Sequence, residues 1–257
     1  HRTHKTRTDN PLSISKLDMK PYNNQESKKS QVRRMFDTIA PSYDRLNHLL
    51  SFNFDRLWRK RLVKMVAAEN PNMVVDVATG TGDVALAIAR RMPEAKMVGI
   101  DLSEGMLAVA QEKSKGSEVT ERIEWLVGDG EALPTEDGVA DVVTVVFGIR
   151  NFQNAEAGIA EAFRTLRSGG CYMVMEFTTP RGKIFGALYR FYSKHIMPRV
   201  GALVSKDRSA YTYLPESIPE FANSGFEQKL TDAGFRVEQL RPQMRGIATI
   251  FVARKPN

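Results

Sequence analysis

The sequence has a single cysteine, Cys171, and only four histidines, which are scattered along its 257 residues. One thiol cannot form a disulfide framework, and dispersed histidines lack the ligand spacing of a zinc site. Such sparing use of cysteine is typical of a reducing compartment. We therefore expect neither structural disulfides nor a bound metal.

Long apolar runs are also missing. No segment approaches the roughly 18 apolar residues of a membrane-spanning helix, and no apolar stretch follows the amino-terminal charges as in a secretory signal. Hydrophobic residues make up 42% of the chain and charged residues 26%, which is ordinary for a folded domain. The sequence therefore predicts a soluble, cytoplasmic protein with one globular core.

Acidic residues are scarce in two segments. Residues 1–70 contain 15 lysines and arginines against 7 acids, whereas residues 71–257 contain 22 against 23. Within the second part, residues 181–208 carry seven basic side chains: Arg181, Lys183, Arg190, Lys194, Arg199, Lys206 and Arg208. Basic segments attract nucleic acid or anionic lipid, so both partners remain open on charge alone.

The apolar pattern divides the chain into parts. Residues 1–18 are polar and without period, and we interpret them as a tag or disordered tail. The remainder, residues 19–257, predicts a single domain with four segments: amino-terminal helices over 19–70, interrupted at Pro41, a cofactor-binding core over 71–180, a helical insertion over 181–225 and carboxyl-terminal strands over 226–257.

The core segment alternates strands with helices, and its apolar runs indicate strands buried on both faces. This pattern predicts an α/β fold in which a mostly parallel sheet is covered by helices. The last two strands are joined without a helix, so we expect the last strand to be antiparallel. The fold class is therefore Rossmann-like, with extra amino-terminal helices and a helical insertion.

The stretch VVDVATGTGD, residues 74–83, runs from the predicted first strand into a glycine turn. Gly80 and Gly82 allow positive φ angles and close approach of a ligand to the backbone. Asp101 ends the second strand, where an acid accepts hydrogen bonds from ribose hydroxyls. These features predict a nucleoside-containing cofactor. Because the turn also matches the dinucleotide fingerprint, the turn alone does not identify which such cofactor binds.

Further features favour S-adenosylmethionine over a nicotinamide dinucleotide. Asp83 places a carboxylate in the first helical turn, which would repel a pyrophosphate but not a sulfonium or ammonium group. Asp129 closes the third strand, where it can accept a hydrogen bond from an adenine amino group. The Tyr-x-x-x-Lys pair of short-chain dehydrogenases is absent from the sequence.

Seven motifs occur in order: YDRLNHLLSFNFDRLW (43–58), DVATGTGD (76–83), GIDLSEGML (99–107), GDGEALP (128–134), FGIRNF (147–152), RTLRSGGCYMVMEF (164–177) and SKDRSAYTYLPES (205–217). With them the chain resembles the C-methyltransferases of menaquinone and ubiquinone biosynthesis, most closely the demethylmenaquinone methyltransferases. The resemblance implies a class I methyltransferase fold. It also implies methyl transfer from S-adenosylmethionine to a ring carbon of a prenylated quinol, from demethylmenaquinol to menaquinol.

The strand ends and the family motifs together supply candidate residues, and His195 is added as a candidate base outside the motifs. Those for cofactor binding are Asp76, Gly80, Thr81, Gly82, Asp101, Leu102, Asp129 and Gly130, and those for catalysis are Arg150, Asn151, Tyr43 and His195. Arg150 keeps its proton and therefore acts electrostatically. The candidates for the general base are Tyr43, Asp44, His48 and His195, and the sequence does not rank them. This chain departs from many family members at four positions: Ala78, Thr79, Asp55 and Val146. Many members have His in place of Asp55, and this chain lacks a hydroxyl at Val146.

A prenylated substrate implies work at a membrane. We expect peripheral association with the inner face of the cell membrane, with the insertion as a lid whose cations meet anionic headgroups; a buried helix with a solvated basic edge is the alternative. A homodimer is also allowed. Methylation of another phenolic small molecule, methylation of RNA, and a scaffold that has lost catalysis remain as alternatives. The aromatic motifs of nucleic-acid enzymes are absent, so we expect no nucleic-acid partner.

Overall fold

The computed structural model describes residues 19–22, 24–180, 182–204 and 208–257, so the tail predicted over residues 1–18 lies outside the described residues. The seven strands of one sheet are β1 (Met73–Val77), β2 (Lys96–Asp101), β3 (Ile123–Val127), β4 (Ala140–Val146), β5 (Leu166–Phe177), β6 (Arg236–Gln243) and β7 (Ala248–Arg254). Their order is β3-β2-β1-β4-β5-β7-β6. Strands β1 to β5 pair in parallel, and β7 is antiparallel to both neighbours, as predicted.

Helices cover both faces of this sheet. They are α1 (Lys28–Leu50), α2 (Phe54–Ala68), α3 (Asp83–Arg91), α4 (Glu104–Ser114), α5 (Ala155–Thr165), α6 (Lys183–Phe191), α7 (Met197–Val204), α8 (Arg208–Ala222) and α9 (Phe226–Asp232). A π-helical turn over Tyr192–Ile196 joins α6 to α7. In the part of the chain that is described, no helix combines the length and apolar character needed to span a bilayer.

The core has one apolar cluster on each sheet face because the strands are buried on both sides. One cluster contains Trp58, Leu62 and Ile88, and the other contains Ile159 and Tyr172. A third cluster joins α1 to α4 and α8 beyond the carboxyl edge of the sheet. The amino-terminal helices are therefore packed onto the edge where a ligand is expected.

Pro41 does not interrupt the first helix, contrary to the sequence-based expectation. Helix α1 runs from Lys28 to Leu50 with Pro41 inside it. An internal proline costs a helix about 3 kcal/mol. The fully buried Met35, Ile39 and Leu46 each contribute roughly 1.5–3 kcal/mol by leaving water, so their packing outweighs that cost.

Two further boundaries differ from the sequence pattern. The fifth helix ends at Thr165, and β5 begins at Leu166, so the pair Gly169 and Gly170, a usual signal for the end of a helix, lies within a strand. The carboxyl-terminal segment begins with the short helix α9 before its two strands. Both boundaries are fixed by pairing and packing between distant segments, which local periodicity does not report.

Candidate active site

The loops that follow β1, β2, β3 and β4 meet at one edge of the sheet and form a cavity closed by α1. Its lining includes seven predicted site residues: Gly80, Asp101, Leu102, Asp129, Gly130, Asn151 and Tyr43. Convergence follows from the parallel order, since the carboxyl ends of parallel strands share an edge. We refer to this space as the donor cavity.

Asp101 fixes the glycine turn at the floor of the donor cavity. Its Oδ2 accepts the Gly80 N–H at 2.7 Å, and its Oδ1 accepts the Ser103 N–H at 2.9 Å. Burial raises the pKa of Asp101 to about 6, although these two backbone donors oppose the rise. The carboxylate thus joins the β1–α3 turn to the start of α4, and its remaining lone pairs can accept from a ligand.

Three other predicted cofactor-binding residues lie behind the turn, outside the cavity lining. Asp76 accepts the hydroxyls of Thr79 at 2.6 Å and Thr144 at 2.5 Å, and burial raises its pKa to about 6. The Thr81 hydroxyl donates to Asp44 at 2.5 Å. Gly82 has φ +78°, and a Cβ there would lie 2.6 Å from the Trp125 ring. These residues shape the turn.

Asp83 does not face the donor cavity, which corrects the argument that its carboxylate selects a cationic ligand. It pairs with Arg59 at 2.6 Å and with Lys113. Burial acts to raise the pKa of Asp83, but these two cations hold it below its usual value. Its charge is therefore already neutralised by the protein.

Asn151 provides a test of whether S-adenosylmethionine fits the donor cavity. The residue is 6% exposed, lines the cavity, and its Oδ1 has no hydrogen-bond partner among the described residues. A buried polar atom left unpaired costs about 1–3 kcal/mol, which an entering donor would recover. Together with the carboxylates of Asp101 and Asp129, this oxygen suits the hydroxyl, amino and ammonium groups of that molecule.

Lys29 of α1 reaches across the donor cavity to the loop after β3. Its Nζ lies 2.5 Å from Asp129 Oδ2 and 3.1 Å from Glu131 Oε2. This contact could not be predicted from sequence patterns, because 100 residues separate Lys29 from Asp129. An adenine amino group that binds Asp129 would compete with Lys29 for the same oxygen.

A second, apolar cavity of about 450 Å³ lies between the α1–α2 region and helices α6 to α8. Its lining is dominated by aromatic and aliphatic side chains, among them Leu50, Phe52, Trp58, Phe147, Phe177, Phe185, Tyr189, Tyr192 and Ile218. Tyr43 and Phe147 line both cavities. The volume is typical of a small-molecule site. The two spaces are adjacent at these two rings, a place we call their junction. We call this second space the apolar cavity.

Arg150 lies in the wall of the apolar cavity and is paired with a buried acid. Its Nη1 lies 2.7 Å from Glu176 Oε1 and donates to the Phe147 carbonyl at 2.6 Å. Burial raises the pKa of Glu176, and Arg150 opposes that rise. Glu176 was not among the predicted site residues, although a lone carboxyl in the apolar strand CYMVMEF indicates a buried charge that needs a partner.

The candidate bases lie in different surroundings. Tyr43 is at the junction of the cavities, and burial raises its pKa, so its phenol stays neutral near pH 7. Asp44 bonds Thr81 and Lys113, and His48 bonds Asp55 through Nδ1 at 2.8 Å. His195 is exposed, packs on Phe191, and is not among the described residues that line either cavity.

Comparison with known proteins gives a consistent result. A model of the ubiE/COQ5 methyltransferase family matches residues 24–255. A demethylmenaquinone methyltransferase of Bacteroides fragilis is 40% identical over 238 residues, covering 92% of this chain and 97% of the relative. A ubiquinone/menaquinone biosynthesis C-methyltransferase UbiE of Geobacter sulfurreducens is 44% identical over 230 residues, covering 89% and 90%.

A solved structure shares the fold at low sequence identity. A SAM dependent methyltransferase from Aquifex aeolicus superposes with a TM-score of 0.52 at 18% identity, over 71% of this chain and 81% of that one. At this identity the likeness concerns the fold alone. The predicted Rossmann-like class is confirmed by this likeness and by the strand order.

Proposed function

The chain belongs to the ubiE/COQ5 methyltransferase family, and from this premise we propose that it methylates a ring carbon of demethylmenaquinol to give menaquinol. The predicted family and the predicted donor, S-adenosylmethionine, are confirmed by the family match. Relatives named for demethylmenaquinone support this acceptor, and other relatives are named for ubiquinone and menaquinone biosynthesis together.

One observation carries the choice of acceptor: the apolar cavity and the donor cavity are adjacent and share Tyr43 and Phe147 in their linings. A naphthoquinol ring placed at this junction would face the donor, while its isoprenoid tail lies among the aromatic side chains of the apolar cavity. A small polar acceptor would leave this apolar surface in contact with water, which is unfavourable. The cavity therefore suits a ring that carries a long apolar tail.

The protein's contribution to methyl transfer is alignment and charge stabilisation. The bound donor supplies an electrophilic methyl group on a sulfonium. Asp101, Asp129 and Asn151 would orient that molecule, which converts a bimolecular encounter into an aligned one. Arg150, held by Glu176 in the cavity wall, would stabilise the oxyanion that forms as the quinol hydroxyl loses its proton.

Acceptor choice is tested by incubating the protein with radiolabelled S-adenosylmethionine and reduced demethylmenaquinone, a ubiquinone precursor or RNA. We expect label in menaquinone, with slower transfer to the ubiquinone precursor. Transfer to RNA, or to a phenol without a prenyl tail in preference to the quinol, would contradict the proposal. Binding of the donor with no transfer to any quinol would favour an inactive scaffold.

We also propose that the protein associates with the inner face of the cell membrane through the mouth of the apolar cavity. Phe52, Leu188 and Phe191 line this cavity and are 68%, 64% and 57% exposed. Arg190 and Lys194, on the same helical insertion as Leu188 and Phe191, are also exposed. Exposed aromatic and aliphatic residues next to cations suit insertion at an anionic lipid surface, from which a prenylated quinol would enter.

A further inference from the structure

A hydrogen-bonded polar cluster lies in the wall of the apolar cavity, where α1 meets α2. Ser51 Oγ donates to Asp55 Oδ1 at 2.5 Å, and Asp55 Oδ2 lies 2.8 Å from His48 Nδ1 and 2.9 Å from Arg59 Nη1. Asp55 is 3% exposed. Ser51, Asp55 and Arg59 all line the apolar cavity, and Asp55 is the only carboxylate among the described residues that do so.

The charge of this cluster acts on the place where the two cavities meet. Burial raises the pKa of Tyr43 at this place, and the charges of Arg150 and, more weakly, Arg59 act to lower it. Nε of Arg59 is buried and has no hydrogen-bond partner in the described part of the chain. A donor without a partner at the cavity wall is available to an oxygen of a bound molecule.

The proposed reaction leaves one proton to be placed. The quinol O–H bond breaks, a ring carbon forms a bond to the methyl group, and the C–S bond breaks with its electrons remaining on sulfur. The methylated ring carbon then loses its hydrogen as a proton, and the ring oxygen takes up a proton, which restores the aromatic quinol. The sulfonium loses its charge, so the net products include one proton that the apolar cavity cannot solvate.

We infer that the Ser51–Asp55 pair is the proton acceptor for the quinol hydroxyl, a step that rests on the proposed function. As the hydroxyl proton moves to Ser51 Oγ, the proton of Ser51 moves to Asp55 Oδ1. His48 and Arg59 are positioning residues, because they hold Oδ2 and leave Oδ1 to accept. Asp55 becomes neutral as the sulfonium becomes neutral, so the buried site keeps its total charge.

The other candidate bases suit this role less well. Tyr43 stays a neutral phenol near pH 7, and Arg150 keeps its proton. Asp44 is engaged by Thr81 and Lys113 and is not in the lining of either cavity. His48 offers Nδ1 to Asp55 rather than to the apolar cavity.

The test is the single-turnover rate of quinol methylation between pH 6 and pH 9, with donor and quinol saturating. Asp55→Asn keeps the size of the side chain and removes the acceptor, so we expect a rate about 100-fold lower at pH 7. That residual rate should rise up to about tenfold per pH unit as hydroxide takes over. The wild-type rate should vary much less across this range. The titratable and charged groups around Asp55 are His48 and Arg59, with Asp83 of α3 paired to the same Arg59.

Ser51→Ala provides a second variant in case Asp55→Asn is poorly folded, and it should show the same steepened pH profile. Glu69→Gln is the matched control, since Glu69 follows the same helix and pairs with Arg254 at the opposite edge of the sheet. Its rate should equal that of the wild type. Donor affinity, measured by calorimetry, should stay within twofold in all three variants.

Two outcomes would overturn the inference while the proposed function stands. One is an unchanged rate in Asp55→Asn and Ser51→Ala; the other is an equal loss at every pH, which marks a structural role. A wild-type protein that methylates no quinol would overturn the proposed function and this inference together. The wild-type assay therefore separates the two failures.

Discussion

The carboxylate of Asp101 accepts two backbone N–H groups and still faces the donor cavity. Because burial raises its pKa to about 6, mildly acidic solution protonates it and removes an acceptor for the ribose. We expect the dissociation constant of S-adenosylmethionine to be about tenfold higher at pH 5 than at pH 8. Calorimetric titration between pH 5 and pH 8 measures this dissociation constant. Asp101→Asn should bind weakly with no such pH dependence, and a variant that keeps it would contradict the assignment.

Donor binding and methyl transfer should separate at Asp101 and Arg150. Asp101→Ala should weaken donor binding, because an acceptor on the cavity floor is lost. Removing Arg150 alone would leave Glu176 buried and unpaired at a cost of about 3–5 kcal/mol, so the double variant Arg150→Gln/Glu176→Gln is preferable. It should lower the rate of transfer about 100-fold and leave donor affinity within twofold. An equal loss of donor affinity in Asp101→Ala and in the Arg150→Gln/Glu176→Gln variant would contradict the separate roles.

Single residues were predictable where their function depends on local position. Gly80, Asp101 and Asp129 lie at or just after strand ends, so a sequence pattern places them at one edge of the sheet. Glu176 and Asp55 depend on partners from other elements, and their burial could be known only from the assembled fold. The roles of the predicted site residues remain predictions.

The turn between β1 and α3 contains two glycines with different surroundings. Gly80 has φ +58°, and a Cβ there would meet no protein atom within 4 Å. At Gly82 a Cβ would lie 2.6 Å from Trp125 and 2.9 Å from Ala110. The first glycine therefore keeps space for a ligand, and the second keeps space for the protein core.

Alanine at each glycine should show this difference. Gly80→Ala should cost about 1–2 kcal/mol of unfolding free energy for its positive φ, and its methyl group should strongly reduce donor binding. Gly82→Ala should lower the free energy of unfolding by roughly 1–3 kcal/mol more than Gly80→Ala does, because Trp125 must move. Thermal unfolding with and without S-adenosylmethionine measures both effects. If the ligand stabilises Gly80→Ala as much as the wild type, the open space has another purpose.

The helix boundaries show why elements were less predictable than the fold class. Pro41 is a valid stop signal in an isolated helix, but here the apolar face of α1 packs on α4 and α8. The ladder between β4 and β5 begins at Ala140 and Leu166, which draws the chain out of a helix before its glycines. In both cases a tertiary contact outweighs a local preference.

For the whole molecule, strand order followed from the alternation of strands and helices, while charge placement did not. The basic amino-terminal region suggested nucleic acid, yet several of its cations form ion pairs within the protein, such as Lys29 with Asp129 and Arg59 with Asp83. Net charge alone could not reveal this, because pairing depends on the assembled surface. The exposed apolar side chains at the cavity mouth are the better guide to a partner.

Vesicle binding tests that surface. The wild type should sediment with anionic liposomes, and the double variant Phe52→Ser/Leu188→Ser should lose most of that binding, since both side chains are exposed at the cavity mouth. High salt should weaken binding by screening the cations. Val139→Ser is a matched control, because Val139 is exposed just before β4 at the opposite edge of the sheet. Absence of sedimentation at low salt would rule out the membrane proposal.

The antiparallel course of β7 has a practical consequence for attaching labels. Arg254 pairs with Cys171 near the amino end of the parallel β5 segment, so Asn257 lies on the side of the sheet away from both cavities. Met19, by contrast, packs against the cluster around α1, the helix that closes the donor cavity. A fluorophore or surface tether joined behind Asn257 should therefore leave substrate entry free, whereas the same group placed ahead of Met19 would crowd the cover of the site.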